Sequence, residues 1–527
     1  MDRSSKPGTA AKKKIKSSVK RLAAAIVGLT WLFSILSCNL SAVSLGQAAP
    51  PDPTNPAVPT FFLPKDQSTA YFMSTQPPAT PTPAPTATKA PPVLYNAQSG
   101  DSLQNLEARF GVKSSDITSP DPIPSLGFLK VGQLLFIPRN VGSTNPTTLL
   151  LPDSEVVYSP STIDFDISSF VKQAGGYLSG FTEYTGYGNL TGALDVLQVA
   201  VDNSINPRLL LALLEYQGHW VYEQPSNLAD QNYPLGNYDV NTRGLFNQLS
   251  WAARQLSIGY YGWRSGTLTS ITFPDNTNIR LAPELNAGTV ALAYFFSQVS
   301  MLHTQRDWES ALYGAKSFSI LYDRMYGNVW IRSQAVEPLF PDGLTQPVLD
   351  LPFFPGLVWS YSGGPHAVWG AGSPFAAIDF APGSTASGCI PAEQYVLAPA
   401  AGVVVRSAPG IVVLDLDGDG HEQTGWVLFF LHIRTDGRAY QGQRLNKDDP
   451  IGHPSCEGGN ATGTHVHMAR KYNGEWMLAD GPLPFVLGGW QVHAGAAEYK
   501  GTLTKNGQTV TADTNGSNET TIVRTKP

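Results

Sequence analysis

Charge is scarce in this chain. Asp, Glu, Lys and Arg together make up 14% of its 527 residues, and the formal net charge is -6. Nucleic-acid binding needs clustered Lys and Arg to neutralise phosphates, so that class is excluded. Cysteine is scarcer still, with only Cys38, Cys389 and Cys456. Long apolar runs are confined to one place. Lys12, Lys13, Lys14, Lys16, Lys20 and Arg21 form a basic block, and no charged residue follows from Leu22 to Ala49. That pattern marks residues 1–49 as a signal peptide or a single N-terminal membrane anchor, with no other contact to the cytoplasmic membrane expected. Two processing sites compete. "ILSC" ending at Cys38 would make the protein a lipoprotein, whereas "AVS" or "GQA" would be cleaved without a lipid. Either way the rest of the chain is expected outside the cytoplasm, secreted or in the cell envelope. In that oxidising exterior Cys389 and Cys456 could pair, or stay as two separate buried thiols.

What is present is apolar and aromatic material, 42% and 10%, enough for several cores. Residues 50–92 are a Pro/Thr-rich linker, "STQPPATPTPAPTATKAPP" at its end, expected to be an extended tether. Residues 93–140 start as a strand at Val93, Leu94 and Tyr95. "SGDS" then caps a helix with Leu103, Leu106 and Phe110 at helical spacing. A second helix is expected near Ser114, and "GQLLFIP" returns as a strand. Residues 155–345 read as mostly helical. Asn206 and Pro207 give a strong helix start, and Arg243–Leu256 and Leu285–Val299 are further helices. Residues 350–500 read as β, with short apolar runs between Gly and Pro. Residues 501–527 read as a polar tail. The overall fold class is therefore multidomain: a small unit of two helices flanked by two strands, a mostly α domain, and an all-β antiparallel domain.

Two stretches carry metal chemistry. "GTHVHMARKY" puts His465 and His467 on one face of a strand, because strand side chains alternate. "GGPHAVWGAGSPFAAIDFAP" contains His366 and Asp379, with Phe375 four residues before the aspartate. A third run, "GWVLFFLHI", ends near His432. The acidic "DLDGDGHEQTG" resembles a calcium loop but has Trp426 at its twelfth position, so a hairpin turn is the preferred reading. His219, His303, His453 and His493 are read as structural, loop or exposed residues.

Three resemblances follow from these motifs. "SGDSL…RFGV…GQLLFIP" resembles a LysM module, which implies binding of N-acetylglucosamine-containing glycans such as peptidoglycan. The middle domain resembles the lysozyme-like transglycosylase superfamily. Glu215 stands at its catalytic acid position, and Gly244, Leu245, Gln248 and Asn286 match later motifs. Tyr216 replaces the usual Ser, and no second carboxylate is evident. A carboxyl group among buried apolar side chains can donate a proton to a glycosidic oxygen. A glycan-binding domain that kept only the fold is the alternative.

The C-terminal segment looks like the lysostaphin-type zinc endopeptidases, in their beta-lytic branch. There the first ligand lies in a Gly-Gly-x-His segment well ahead of the aspartate. The resemblance implies that His366, Asp379 and His467 bind Zn2+, and that His432 and His465 are catalytic. It also implies that Cys456 is disulfide-bonded, with Cys389 as its credible partner. Zinc with three protein ligands keeps a position for water and makes it nucleophilic near neutral pH. A free histidine can accept the proton, and another can stabilise the tetrahedral oxyanion. The chain thus reads as a bacterial cell-wall hydrolase that cuts peptidoglycan cross-links. The competing class is a non-catalytic envelope scaffold that binds peptidoglycan and regulates another hydrolase.

Overall fold

The computed structural model describes residues 90–302, 304–370, 374–384 and 388–525. The expected N-terminal anchor, Cys38, nearly all of the 50–92 linker and His303 lie outside the described residues.

In the first unit, Val93–Asn96 pairs antiparallel with Leu134–Ile137. Helix Leu103–Phe110 starts at Ser102, whose side chain accepts from the Asn105 N–H while the Asn105 side chain reaches back to Ser102, and it stops at Gly111 in the left-handed region. Leu106 and Phe110 pack against Tyr95, Leu135 and Ile137. The expected second helix is a correction: only a single 3-10 turn forms, Ser114–Asp116. Pro120, Pro122 and Pro124 follow within ten residues, and each lacks the N–H that a helix interior needs.

The helical region holds its longest helix, Leu245–Ser265, against Ala287–Gln298 and Gly192–Asn203. Helix Pro207–Gly218 begins as its sequence predicts, with the Asn206 side chain accepting from the Arg208 N–H and proline at the first position. Leu209 to Leu214 are buried on every side, which is why the apolar run there has no polar stripe.

The C-terminal region is built on a nine-stranded antiparallel sheet. Its central order is Gly402–Ala408, Gly410–Asp415, Trp426–Ile433, Val466–Tyr472, Phe375–Pro382, Val358–Ala367 and Thr521–Val523. Alternation sorts the side chains between two cores. Ile378, Phe380, Leu428, Phe430, Val466 and Met468 face a core shared with a second, four-stranded sheet. Ala377, Val427, Phe429 and Ala469 face the core of the helical region. The acidic "DLDGDG" segment joins Gly410–Asp415 to Trp426–Ile433 as a hairpin connection.

The polar tail expected over 501–527 is also corrected. Gly501–Lys505 and Gln508–Thr511 are strands of the second sheet, and Thr521–Val523 pairs with the edge of the large one. The segment is polar in composition, but Leu503, Val510 and Ile522 are buried at the inward positions. The domain expected to end at residue 500 therefore runs on to at least Val523.

A buried polar junction ties the three regions together. Arg264 donates to Asp153 Oδ2 at 2.9 Å and to Glu475 Oε2 at 3.0 Å, and also to the Ser99 carbonyl. Asp153 and Arg264 belong to the helical region, Glu475 to the large sheet and Ser99 to the first unit.

Candidate metal centre

The strand register brings two of the expected ligands together. His467 lies directly opposite Asp379, and Asp379 opposite Gly363. Alternation turns both side chains to the face that carries Ala377 and Ala469. His366 arrives from the next strand, where the register shifts around Gly363, Gly364 and Pro365. Both glycines are required. A Cβ on Gly363 would stand 2.3 Å from Asp379 Oδ2, and one on Gly364 would stand 2.5 Å from the backbone of Lys500.

The ligand atoms converge closely. His366 Nε2 is 3.0 Å from His467 Nδ1 and 3.4 Å from Asp379 Oδ1. His467 Nδ1 is 3.3 Å from the same oxygen. His366 Nδ1 donates to the Gly364 carbonyl at 2.8 Å, so Nε2 of the neutral ring faces the cluster as a lone pair. Asp379 is 5% exposed, and its Oδ1 has no hydrogen-bond partner among the described residues. An orphaned buried carboxylate oxygen facing two imidazole nitrogens is the donor set that suits a small, four-coordinate divalent cation.

Electrostatics agree with that fit. Burial pulls His366 down to about 4, against the upward pull of Asp379, so the ring is neutral at ordinary pH. Burial alone would raise the Asp379 carboxyl, but His366, then His467 and His465, hold it below the usual carboxylate range.

The two histidines expected to be catalytic stand beside this set. His465 Nε2 is 3.9 Å from Asp379 Oδ1, and its Nδ1 donates to the Gly463 carbonyl at 2.7 Å. The His432 ring centroid is 4.5 Å from that of His465, and its Nδ1 donates to the Glu457 carbonyl at 2.9 Å. Among the described residues neither ring's Nε2 has a hydrogen-bond partner. Burial, reinforced by His465, pulls His432 down to about 4. Strict alternation would send His432 to the opposite face with Phe430. It is instead the extra residue of a β-bulge between Leu431 and Ile433, with φ +65°, and the bulge turns its ring into the site.

Cys389 and Cys456 form a disulfide, with Cα atoms 5.8 Å apart. It fixes the loop leading to His465 against the Gly388–Ile390 segment, where Thr464 N–H donates to the Gly388 carbonyl at 3.1 Å. Phe375 is a half-exposed strand residue opposite Ala367 and takes no part in the cluster. His453 is a buried loop residue whose ring lies tilted against Tyr395, with centroids 4.0 Å apart.

Sequence reasoning missed Tyr499. Its ring stacks on His366 at 4.1 Å, and its carbonyl accepts from the Gly364 N–H at 2.9 Å. It comes from a turn between two strands of the second sheet, thirty-odd positions past the last ligand, and only that sheet's return brings it back. The "GG" before His366 was the available signal, since two adjacent glycines leave room for another backbone.

Glu215, expected as a glycosidic acid, is buried elsewhere. Its Oε2 accepts from the backbone N–H groups of Val221 and Tyr222 at 2.8 and 2.9 Å. That oxygen is committed to holding a loop.

Comparison with known proteins covers both regions. Residues 149–338 match the family model described as the LasA N-terminal domain. The chain is 25% identical over 323 residues to Protease LasA of Pseudomonas aeruginosa, covering 56% of this chain and 69% of that protein. The same protease from a second strain is 24% identical over 318 residues, with the same coverage. Among solved structures, the deep-sea metalloprotease pseudoalterin is 24% identical, covering 32% of this chain and 96% of its own, with a TM-score of 0.27. The catalytic domain of lysostaphin from Staphylococcus simulans is 20% identical, covering 22% and 80%, with a TM-score of 0.16.

Proposed function

We propose that this chain is a LasA-like, lysostaphin-type zinc metalloendopeptidase that cleaves the peptide cross-links of peptidoglycan. One observation carries the reading: His366, Asp379 and His467, from three neighbouring strands, converge on a common point flanked by two further neutral-capable histidines. The similarity to Protease LasA supports an endopeptidase.

His366 Nε2, His467 Nδ1 and an Asp379 oxygen would hold zinc. Zinc, when bound, supplies Lewis-acid polarisation of the scissile carbonyl and of water. The chain's own residues do the rest. The Gly463 carbonyl fixes the His465 tautomer so that Nε2 can accept a proton. His432, fixed in the same way by Glu457, holds a second Nε2 toward developing negative charge once protonated, and the two roles are exchangeable in this geometry. Tyr499 packs on His366 and limits its rotation. The disulfide keeps the His465 approach in register.

Val93–Asn140 is read as the glycan-binding LysM module that brings the enzyme to the wall. Its capped helix between paired strands supports this, though only one full helix forms. Glycan cleavage by Glu215 stays a secondary reading that the product analysis below decides, with Oε2 held by two backbone bonds and Oε1 accepting none among the described residues. The site of action is outside the cytoplasm. Among the described residues no helix is long and apolar enough to cross a membrane.

The test is product analysis on purified peptidoglycan, with zinc-loaded full-length protein and products sized by mass. Newly freed peptide termini that vanish with His465→Ala support the reading. Intact cross-links, with protein bound to the wall, would replace it by the non-catalytic scaffold. New reducing sugar ends would return the assignment to the helical region.

A further inference from the structure

The four histidines of the metal centre differ in one respect. His366, His432 and His465 each fix their second ring nitrogen on a backbone carbonyl, those of Gly364, Glu457 and Gly463, at 2.8, 2.9 and 2.7 Å. His467 does not. Its Nδ1 faces His366 and Asp379, so the proton of the neutral ring is on Nε2. That nitrogen is buried without a hydrogen-bond partner among the described residues. A metal-ligating histidine ordinarily donates this second N–H to a carboxylate, a carbonyl or water, and the bond orients the ring. Here another contact takes that part.

The sheet register supplies it. Leu431 lies directly opposite His467, and Phe429 lies opposite Ala469, two positions along on the same face. The Phe429 ring stands at 88° to the His467 ring, with centroids 6.2 Å apart, inside the range of edge-to-face pairs. Phe429 is itself fully buried, and its ring is clamped. Trp476 lies 5.6 Å away, Trp369 6.3 Å, and the Arg406 guanidinium sits over it at 5.9 Å. Arg406 in turn pairs with Asp202 of the helical region at 3.0 Å.

We propose that Phe429 is a positioning residue for the metal centre: its ring, in place of a hydrogen-bond acceptor, sets the plane of the His467 imidazole and walls water away from Nε2. The role rests on the metal-centre reading above and extends it. It has a chemical consequence. An N–H bonded to an acceptor makes the opposite ring nitrogen a stronger donor, and His467 lacks that support. It is therefore a weaker metal donor than His366, and it quenches less of a bound cation's charge.

NMR of zinc-loaded full-length protein, labelled with 15N in histidine, tests this. Among the four histidines of the centre only His467 carries its proton on Nε2, so the tautomer identifies its signal. That N–H should be protected from exchange and lie upfield of those that donate to carbonyls. A signal as far downfield as theirs would reveal an acceptor and overturn the proposal. Exchange too fast for the signal to be seen would overturn it too, since water would then reach Nε2. Phe429→Leu keeps the wall apolar but removes the ring. Its zinc affinity should fall about 10–100-fold, the range for a lost outer partner, by competition with a chromogenic chelator. Unchanged affinity in the folded variant would overturn the role. Should the variant fail to fold, the wild-type spectrum decides. Wild type that takes up no zinc would overturn the metal centre and this role together, whereas a downfield signal in zinc-loaded protein overturns the role alone.

Discussion

The β region and the helical region each bury an aspartate, with opposite consequences. Asp379 sits among His366, His467 and His465, and its interactions with these rings outweigh burial and hold it below the usual carboxylate range. Asp195, fully buried on helix Gly192–Asn203, has no hydrogen-bond partner on either oxygen among the described residues. Burial, reinforced by the charge of Glu183, pushes it up from 3.8 to about 7. Side-chain type does not decide the state of a buried carboxyl. Its neighbours do, and neighbours are set by which strands or helices lie side by side.

The sharpest way to break this comparison is to neutralise Asp379. Asp379→Asn should abolish zinc uptake at the β-region centre and bring peptide cleavage to background, as read by bound metal and released termini. His465→Ala should retain zinc and lose about 10²–10⁴-fold in kcat, the range for a general base. Equal loss of zinc in that variant would show that His465 is a ligand and not the base.

Backbone space comes next. Gly363→Ala drives a methyl onto Asp379 Oδ2. Zinc affinity should fall by about 10–100-fold, the range for disturbed ligand orientation, as measured by competition with a chromogenic chelator. Unchanged affinity would mean that the carboxylate is free to swing.

At the junction between regions, Arg264→Met leaves Asp153 and Glu475 buried without their cation. Removing one partner of a buried pair costs about 3–5 kcal/mol. Chemical denaturation should report that loss, and a change below about 1 kcal/mol would mean the regions do not depend on the junction.

The smallest effect concerns Asp195. A folded-state value above the unfolded one makes its protonated form the stabilising one. Its contribution is complete below about pH 4 and is lost as pH rises toward 7. Asp195→Asn should therefore flatten the fall in melting temperature across that window and leave the variant more stable than wild type above it. Parallel melting curves for the two proteins would refute the shift.

Much of the site was legible in the chain itself. The His-x-His strand and the Gly-Gly-Pro-His segment could be found by motif, and the resemblance named His366, Asp379, His432, His465 and His467, which the sheet later brings together. The capped starts of helices Leu103–Phe110 and Pro207–Gly218 were legible too, since a cap is a matter of two or three adjacent residues. What was not legible was non-local. The tail strands hid behind polar composition because only one residue in two is buried. Tyr499 lies far from the ligands in sequence.

By itself, then, the sequence determined which residue types were available and where local elements begin: the caps, the alternation, and a pair of glycines where no side chain fits. Only the tertiary structure decided the direction of His432. Alternation sends it to the wrong face, and one bulged residue at φ +65° turns it back. That choice depends on pairing with the neighbouring strand, whose register no single strand encodes.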